Sequence, residues 1–204
     1  MDSTKIAELI AAVDAHLARE ITPKRRAHCE STARTAAELA RRFGLDENIC
    51  YLAGLAHDMC REMSVEAQES LVGEQRAAIA FLEARESMRA LFADPVFRGK
   101  MVHGPAAACA LYRDFAVRDM TVLEAVALHS VADREMSACA KIVYIADKLE
   151  PRRSRPADAE DALRHFGLDE LFNYTIACVV RWFSDAGKPL APFTATLYQR
   201  MLAI

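Results

Sequence analysis

Ile142-Val143-Tyr144-Ile145-Ala146-Asp147-Lys148-Leu149 is the stretch on which the fold reading turns. It is the richest β-branched piece of the chain, and so its best strand candidate. A half-buried strand would alternate polar and apolar residues, and this segment does not. Asp147 instead follows Ala140, Val143 and Tyr144 at seven, four and three residues, which is helical spacing. Ser137 opens the segment and Pro151 closes it, as expected of a helix. With this stretch helical, no convincing strand is left, and the expectation is an all-α domain of about eight helices.

The punctuation on either side agrees. The seven glycines and seven prolines fall almost entirely where helices should begin or end. Thr22-Pro23 reads as an N-cap with proline at the first helical position, and Gly44 ends that helix. Asp46 caps a helix that carries Cys50, Leu52, Leu55 and the pair His57-Asp58. Gly104-Pro105 opens a helix through Leu111, with His103 just ahead of it. Thr121-Val122-Leu123-Glu124 has the form of a capping box before a segment ending at His129. Two further helices are expected, from Pro156 to Phe166 before Gly167 and from Asp169 to Ala186 before Gly187. The charged stretch from Glu66 to Lys100 is less regular and reads as a flexible cover. One domain is expected over 1–204, with a core at about 24–196 and an amphipathic N-terminal helix at 3–20.

Hydrophobic residues make up 52% and charged residues 27% of the 204, which is ample core material for one globular domain. A formal net charge of −3 argues against binding nucleic acid by bulk electrostatics, though not against a local basic pocket. No run approaches the roughly 18 apolar residues of a membrane helix, and the N-terminus lacks the apolar core of a signal peptide. The chain therefore reads as soluble and cytoplasmic, without a membrane partner. Its six cysteines form no C-x-x-C pair and sit among alanines and aliphatics, as reduced, buried small hydrophobes do. Cys29 and Cys60 flank the polar residues described next.

Six polar residues stand out against the apolar helical stretches: His28, the adjacent His57-Asp58, His103, His129 and Asp147. Imidazole and carboxylate groups are costly to bury unless they are paired or coordinate a metal. His28 heads the inward stripe Thr32, Thr35, Ala36 and Leu39, and His57 follows Ile49 and Ala53 at eight and four residues. Asp58 shares a stripe with Gly54, whose missing side chain would let another helix pass closely. Any one inward histidine is ordinarily a satisfied core residue, and His16 and His165 read that way. A set of six spread over several helices points to a shared cation. The mixed nitrogen and oxygen donors suit iron, manganese or zinc better than calcium.

These residues carry a family resemblance. Arg25-Arg26-Ala27-His28, Leu52-Ala53-Gly54-Leu55-Ala56-His57-Asp58, His103-Gly104-Pro105-Ala106-Ala107-Ala108, His129-Ser130 and Ile142 through Pro151 together resemble the HD-domain phosphohydrolases. The likeness is closer to their YqeK-type branch, the symmetrical bis(5′-nucleosyl)-tetraphosphatases, and runs from about Lys24 to Thr196. It implies an HD-domain helical fold with iron, one ion or two, held by His28, His57, Asp58 and Asp147. Manganese or another divalent transition metal would suit the same ligands. It also implies that His103 and His129 contact phosphates or help to hold a second metal. Arg25, Arg61 and Arg153, with His103, His129 and Ser130, would bind substrate. The chain departs from the pattern in three places: Ser130-Val131-Ala132 replaces two threonines and a glycine, Arg152 replaces a glycine, and Arg61 replaces the usual lysine.

The implied reaction is symmetric hydrolysis of diadenosine tetraphosphate to two ADP by a metal-activated water. Asp58 and His103 are the candidate catalytic groups, the first to orient water or bridge two metals, the second as leaving-group acid. A dinucleoside polyphosphate substrate and its ADP product are thus the expected partners, with a homodimer left open. An HD-type nucleotidase acting on mononucleotides and a non-catalytic ADP-binding sensor are the alternatives.

Overall fold

The computed structural model describes residues 3–203, and among them the chain is all helix, with no strand. In order, the helices are α1 (Ser3–Glu20), α2 (Pro23–Arg42), α3 (Glu47–Ala56), α4 (Val65–Glu74), α5 (Glu86–Ala93), α6 (Pro95–Met101), α7 (His103–Asp114), α8 (Met120–Leu128), α9 (Ala138–Leu149), α10 (Ala159–His165), α11 (Leu168–Asp185) and α12 (Pro192–Leu202). Twelve α-helices among the described residues exceed the expected eight because several short ones fill stretches that read as loop.

Side-chain caps start the helices that position the polar set. The Thr22 hydroxyl accepts from Arg25 N ahead of Pro23, Asp46 accepts from Asn48 N and Ile49 N, and Ser137 accepts from Ala140 N. The expected capping box at Thr121 is not used. Asp119 caps α8 by accepting from Thr121 N, and Glu124 is instead buried, paired with Arg85 at 2.9 Å. Two boundaries shift as well. Helix α7 begins at His103 rather than after it, and α10 begins at Ala159 because residues 157–158 form a turn.

The stretch from Glu66 to Lys100 is not an irregular cover. It folds into α4, two 3-10 turns (Arg76–Ala78 and Ala80–Leu82), α5 and α6. Leu71, Val72, Ile79, Leu82, Met88, Leu91 and Phe97 anchor it by burial. Its charges occupy the outward faces of short helices, and their density hid the apolar residues between them. Ser87 N and Oγ both donate to Asp133 Oδ2, so a carboxylate from beyond α8 holds the first turn of α5.

At the centre, α2, α3, α8 and α9 pack against one another, with α7 against α8 and α11 against α9. Every residue of α8 from Val122 to Leu128 is buried, as is every residue of α7 from His103 to Leu111. Helices apolar all round belong inside a fold. Alanines allow close approach there, and Gly54 lets α2 pass closer still over α3. A Cβ at that position would lie 2.9 Å from Ala33 Cα and 3.2 Å from Thr32 O, both backbone atoms of α2. No helix is long and apolar enough to cross a membrane among the described residues.

Candidate metal centre

The central helices deliver their polar residues to one place. His28 comes from the first turns of α2 and Asp147 from the last turn of α9. His57 and His129 are the residues that immediately follow α3 and α8, and His103 begins α7. Helix α3 was expected to include the His57-Asp58 pair; it ends at Ala56, two residues short, so both sit in the following turn. The four imidazoles form a chain, with ring centroids 5.0 Å apart for His28–His57, 4.8 Å for His57–His129 and 5.0 Å for His103–His129.

Two carboxylates lie along this chain. His28 Nε2 is 3.1 Å from Asp147 Oδ1 and 3.2 Å from His57 Nε2. Asp58 divides its oxygens between the two ends: Oδ2 is 3.6 Å from His57 Nε2, while Oδ1 is 3.4 Å from His103 Nε2 and 3.5 Å from His129 Nε2. Ligand atoms of His28, His57 and Asp147 all lie within 4.8 Å of one another, and so do those of His57, Asp58 and His129.

Hydrogen bonds on the far side of each ring determine what its near side offers. His57 Nδ1 donates to Gly54 O at 2.6 Å and His129 Nδ1 donates to Val126 O at 2.8 Å. A carbonyl can only accept, so both rings carry a proton on Nδ1 and turn Nε2 inward, where the neutral ring offers a lone pair. His103 is the reverse case. Arg61 Nη1 donates to its Nδ1 at 2.9 Å, and a guanidinium has no acceptor. The His103 proton is therefore on Nε2, which makes this ring a donor toward the centre rather than a ligand. Arg61 is held in turn by Lys100 O at 2.7 Å.

Cations surround the two carboxylates. Arg25 Nη1 donates to Asp58 Oδ2 at 2.6 Å, and Arg153 Nη2 donates to Asp147 Oδ1 at 2.7 Å. Lys148 Nζ bonds Asp147 Oδ2 and also His129 O, tying the ends of α9 and α8 together. Burial works to raise both acids. For Asp58 the three histidines His57, His129 and His103 outweigh it; for Asp147 the neighbouring Lys148 and Arg153 do, with His28 and His57 adding to them. Both carboxyls are held well below their usual range and are ionised at neutral pH. Burial pushes His103 and His129 down, and the positive field of Arg61 adds to this at His103. At His57 burial also acts downward, but Asp58 and Asp147 win and raise it.

All six residues singled out from the sequence thus meet, and the expected arginines Arg25, Arg61 and Arg153 reach them. Ser130 lies at the edge, its hydroxyl donating to Met101 O at 3.3 Å. Neither Ala132 nor Arg152 adopts a left-handed backbone, so this chain does not need the glycine at either position. His16 packs edge-on against Phe115, and His165 pairs with Asp161 at the surface. Sequence reasoning overlooked Lys148 and Glu150. The second is a fully buried carboxylate whose oxygens meet His28 Nδ1 at 3.1 Å and Ser31 Oγ at 2.6 Å. Its signal was available: an acid three residues after Asp147 and directly before the helix-ending Pro151. Inward lone pairs of neutral imidazole beside ionised carboxylates are the donor set of a divalent transition metal, and the residues present fit one.

Comparison with known proteins agrees with the geometry. The family model described as HD domain matches residues 25–152. A Bacillus subtilis protein named symmetrical bis(5′-nucleosyl)-tetraphosphatase is 26% identical over 186 residues, covering 91% of this chain and 93% of that one. A Staphylococcus aureus protein of the same name is 27% identical over 141 residues, covering 69% and 66%. A crystal structure described as a predicted HD superfamily hydrolase involved in NAD metabolism, from Clostridium acetobutylicum, superposes with a TM-score of 0.73 over 95% of this chain and 96% of that one, at 22% identity.

Proposed function

Because the chain belongs to the HD domain family, we propose that it is a metal-dependent hydrolase that cuts diadenosine tetraphosphate at its centre to give two ADP, as the names of its relatives suggest. The observation that carries this reading is the convergence of His28, His57 and Asp147 on one point, with His57, Asp58 and His129 adjoining it. His28, His57, Asp58 and Asp147 hold the metal, and iron is the first assignment, with manganese or zinc suited to the same donors. The second grouping provides a place for a second ion beside the first. When bound, such an ion supplies Lewis acidity for activating water and polarising a phosphoryl oxygen.

The chain's own residues do the rest. A tetraphosphate brings several negative charges to a site that already holds two carboxylates. Arg25 and Arg153, each in contact with one of those carboxylates, bring positive charge to the same place, and Arg61 adds a third guanidinium beside His103. Guanidinium groups match phosphate oxygens in a planar fork. Asp58 Oδ1, the oxygen that Arg25 leaves free, orients the attacking water. The water oxygen bonds to one inner phosphorus, and the bond from that same phosphorus to the oxygen bridging it to the other inner phosphorus breaks. The departing diphosphate keeps that electron pair and takes up the proton. His103 donates its Nε2–H to this developing charge, where a fixed donor acts most strongly.

The test is product identification. Purified, iron-loaded protein incubated with diadenosine tetraphosphate should yield ADP as the sole nucleotide product. Formation of ATP and AMP contradicts central cleavage, and absence of turnover in protein shown to hold metal refutes the activity.

A further inference from the structure

We infer that Glu150 is the positioning residue that decides which nitrogen of His28 faces the metal, an inference that rests on reading His28 as a ligand. His57 and His129 follow the ends of their helices, where a nearby backbone carbonyl is free to accept from Nδ1. His28 sits inside α2, where the carbonyls are engaged in the helix. An acceptor for its Nδ1 must come from elsewhere, and the residue that ends α9 supplies it. Glu150 Oε1 lies 3.1 Å from His28 Nδ1, and the Glu150 side chain is 1% exposed. Carboxylates only accept, so the His28 proton is held on Nδ1 and the Nε2 lone pair faces Asp147 and His57. Arg153 Nη2, a donor 3.3 Å from His28 Nε2, requires the same tautomer from the opposite side. The other oxygen of Glu150 is fixed too, accepting from Ser31 Oγ and Arg152 N, both at 2.6 Å. A carboxylate behind a ligating histidine orients the ring and tunes its basicity.

That second set of bonds makes Glu150→Gln a sharp variant. The Arg152 N–H can only donate, so the amide oxygen of Gln must stay on that side with Ser31. The amide NH2 then faces His28 Nδ1 and forces that atom to accept. The ring proton moves to Nε2, where it blocks ligation while the shape and the Ser31 and Arg152 contacts survive. Manganese-loaded wild type and variants would be challenged with increasing chelator, and retained metal read by elemental analysis. E150Q should release manganese about 10- to 100-fold more readily, while Ser31→Ala, which leaves the Glu150–His28 bond in place, should follow wild type. Equal retention by E150Q and wild type overturns the inference. If E150Q fails to fold, the tautomer is read directly from nitrogen-15 spectra of zinc-loaded wild type. A proton on His28 Nδ1 supports the inference, and a proton on Nε2 overturns it. Neither readout involves a nucleotide, so failure to cleave the dinucleotide would sink the substrate reading alone. Wild type that holds no metal would sink both.

Discussion

Replacing Gly54 with alanine tests whether the close passage of α2 over α3 builds the metal centre. The added Cβ would stand 2.9 Å from Ala33 Cα and 3.2 Å from Ala33 N and Thr32 O. Carbon atoms sit comfortably at about 3.5–4.0 Å, so the helices must part by roughly half an ångström or more. No side chain can swing aside to absorb this, since all three obstacles are backbone in the middle of α2. Alanine gains about 1 kcal/mol over glycine inside a helix, whereas overpacking a tight core costs about 1–3 kcal/mol. The net expectation is a loss of roughly 1 kcal/mol, or about 2–4 °C in Tm for a chain of this length. The separation acts directly on the site: His28 lies five residues before Ala33, and His57-Asp58 follows α3 without a break. Metal retention should therefore fall about tenfold, a displacement of ligands being at least as damaging as loss of an outer partner. Gly73→Ala on α4, where a Cβ meets nothing within 4 Å, is the control and should stabilise by about 0.5–1 kcal/mol. Thermal unfolding and elemental analysis of both variants decide the matter. A Gly54→Ala protein as stable and as metal-rich as wild type would refute the reasoning.

Other perturbations reach different parts of the structure. Asp147→Asn should strip both metal and hydrolysis, while His165→Asn should leave both intact; stoichiometric metal in folded D147N would remove Asp147 from the ligand set. Arg61→Met removes the donor that fixes the His103 proton on Nε2, so kcat should drop by about 10²-fold with metal content unchanged. Arg61→Lys, which keeps a donor, should retain most of the rate. Burial works to raise the Asp133 carboxyl, but the Ser87 hydroxyl and N–H, the Glu135 N–H and Arg85 hold it below its ordinary value. A depressed carboxyl stabilises the fold above its unfolded pKa of about 3.9, and that contribution is lost as pH falls through the lower folded value. Asp133→Asn should accordingly cost about 1–3 kcal/mol near neutral pH and little in acid, as measured by urea unfolding across pH.

How much of this was legible in advance depended on the type of signal. The helical reading of Ile142–Leu149 and the caps at Thr22, Asp46 and Ser137 rest on local chemistry that the sequence displays, and the structure has them in place. Gly54 was legible for the same reason, as a glycine on the stripe of Asp58. The region from Glu66 to Lys100 was not, because short helices carry too few turns for a period to emerge from dense charge. Thr121–Glu124 had the form of a capping box, but tertiary pairing drew Glu124 to Arg85. Most of the six polar residues were found because they contradict apolar surroundings, and His28 because it heads the inward stripe of its helix. Glu150 and Lys148 were passed over because acids and lysines near a helix end normally face water. Only the assembled fold shows that the turn before Pro151 lies against α2.

The bonds from His57 to Gly54 O and from His129 to Val126 O make each ring a fastening for its own helix as well as a part of the centre. Alanine at either position would fray a helix end while emptying the site, so an inert H57A or H129A protein would not say which loss mattered. A cleaner inactive form, suited to capturing uncut dinucleotide in a crystal, should be sought at Asp58. Its carboxylate takes no part in ending a helix, and asparagine there keeps the outline of the side chain.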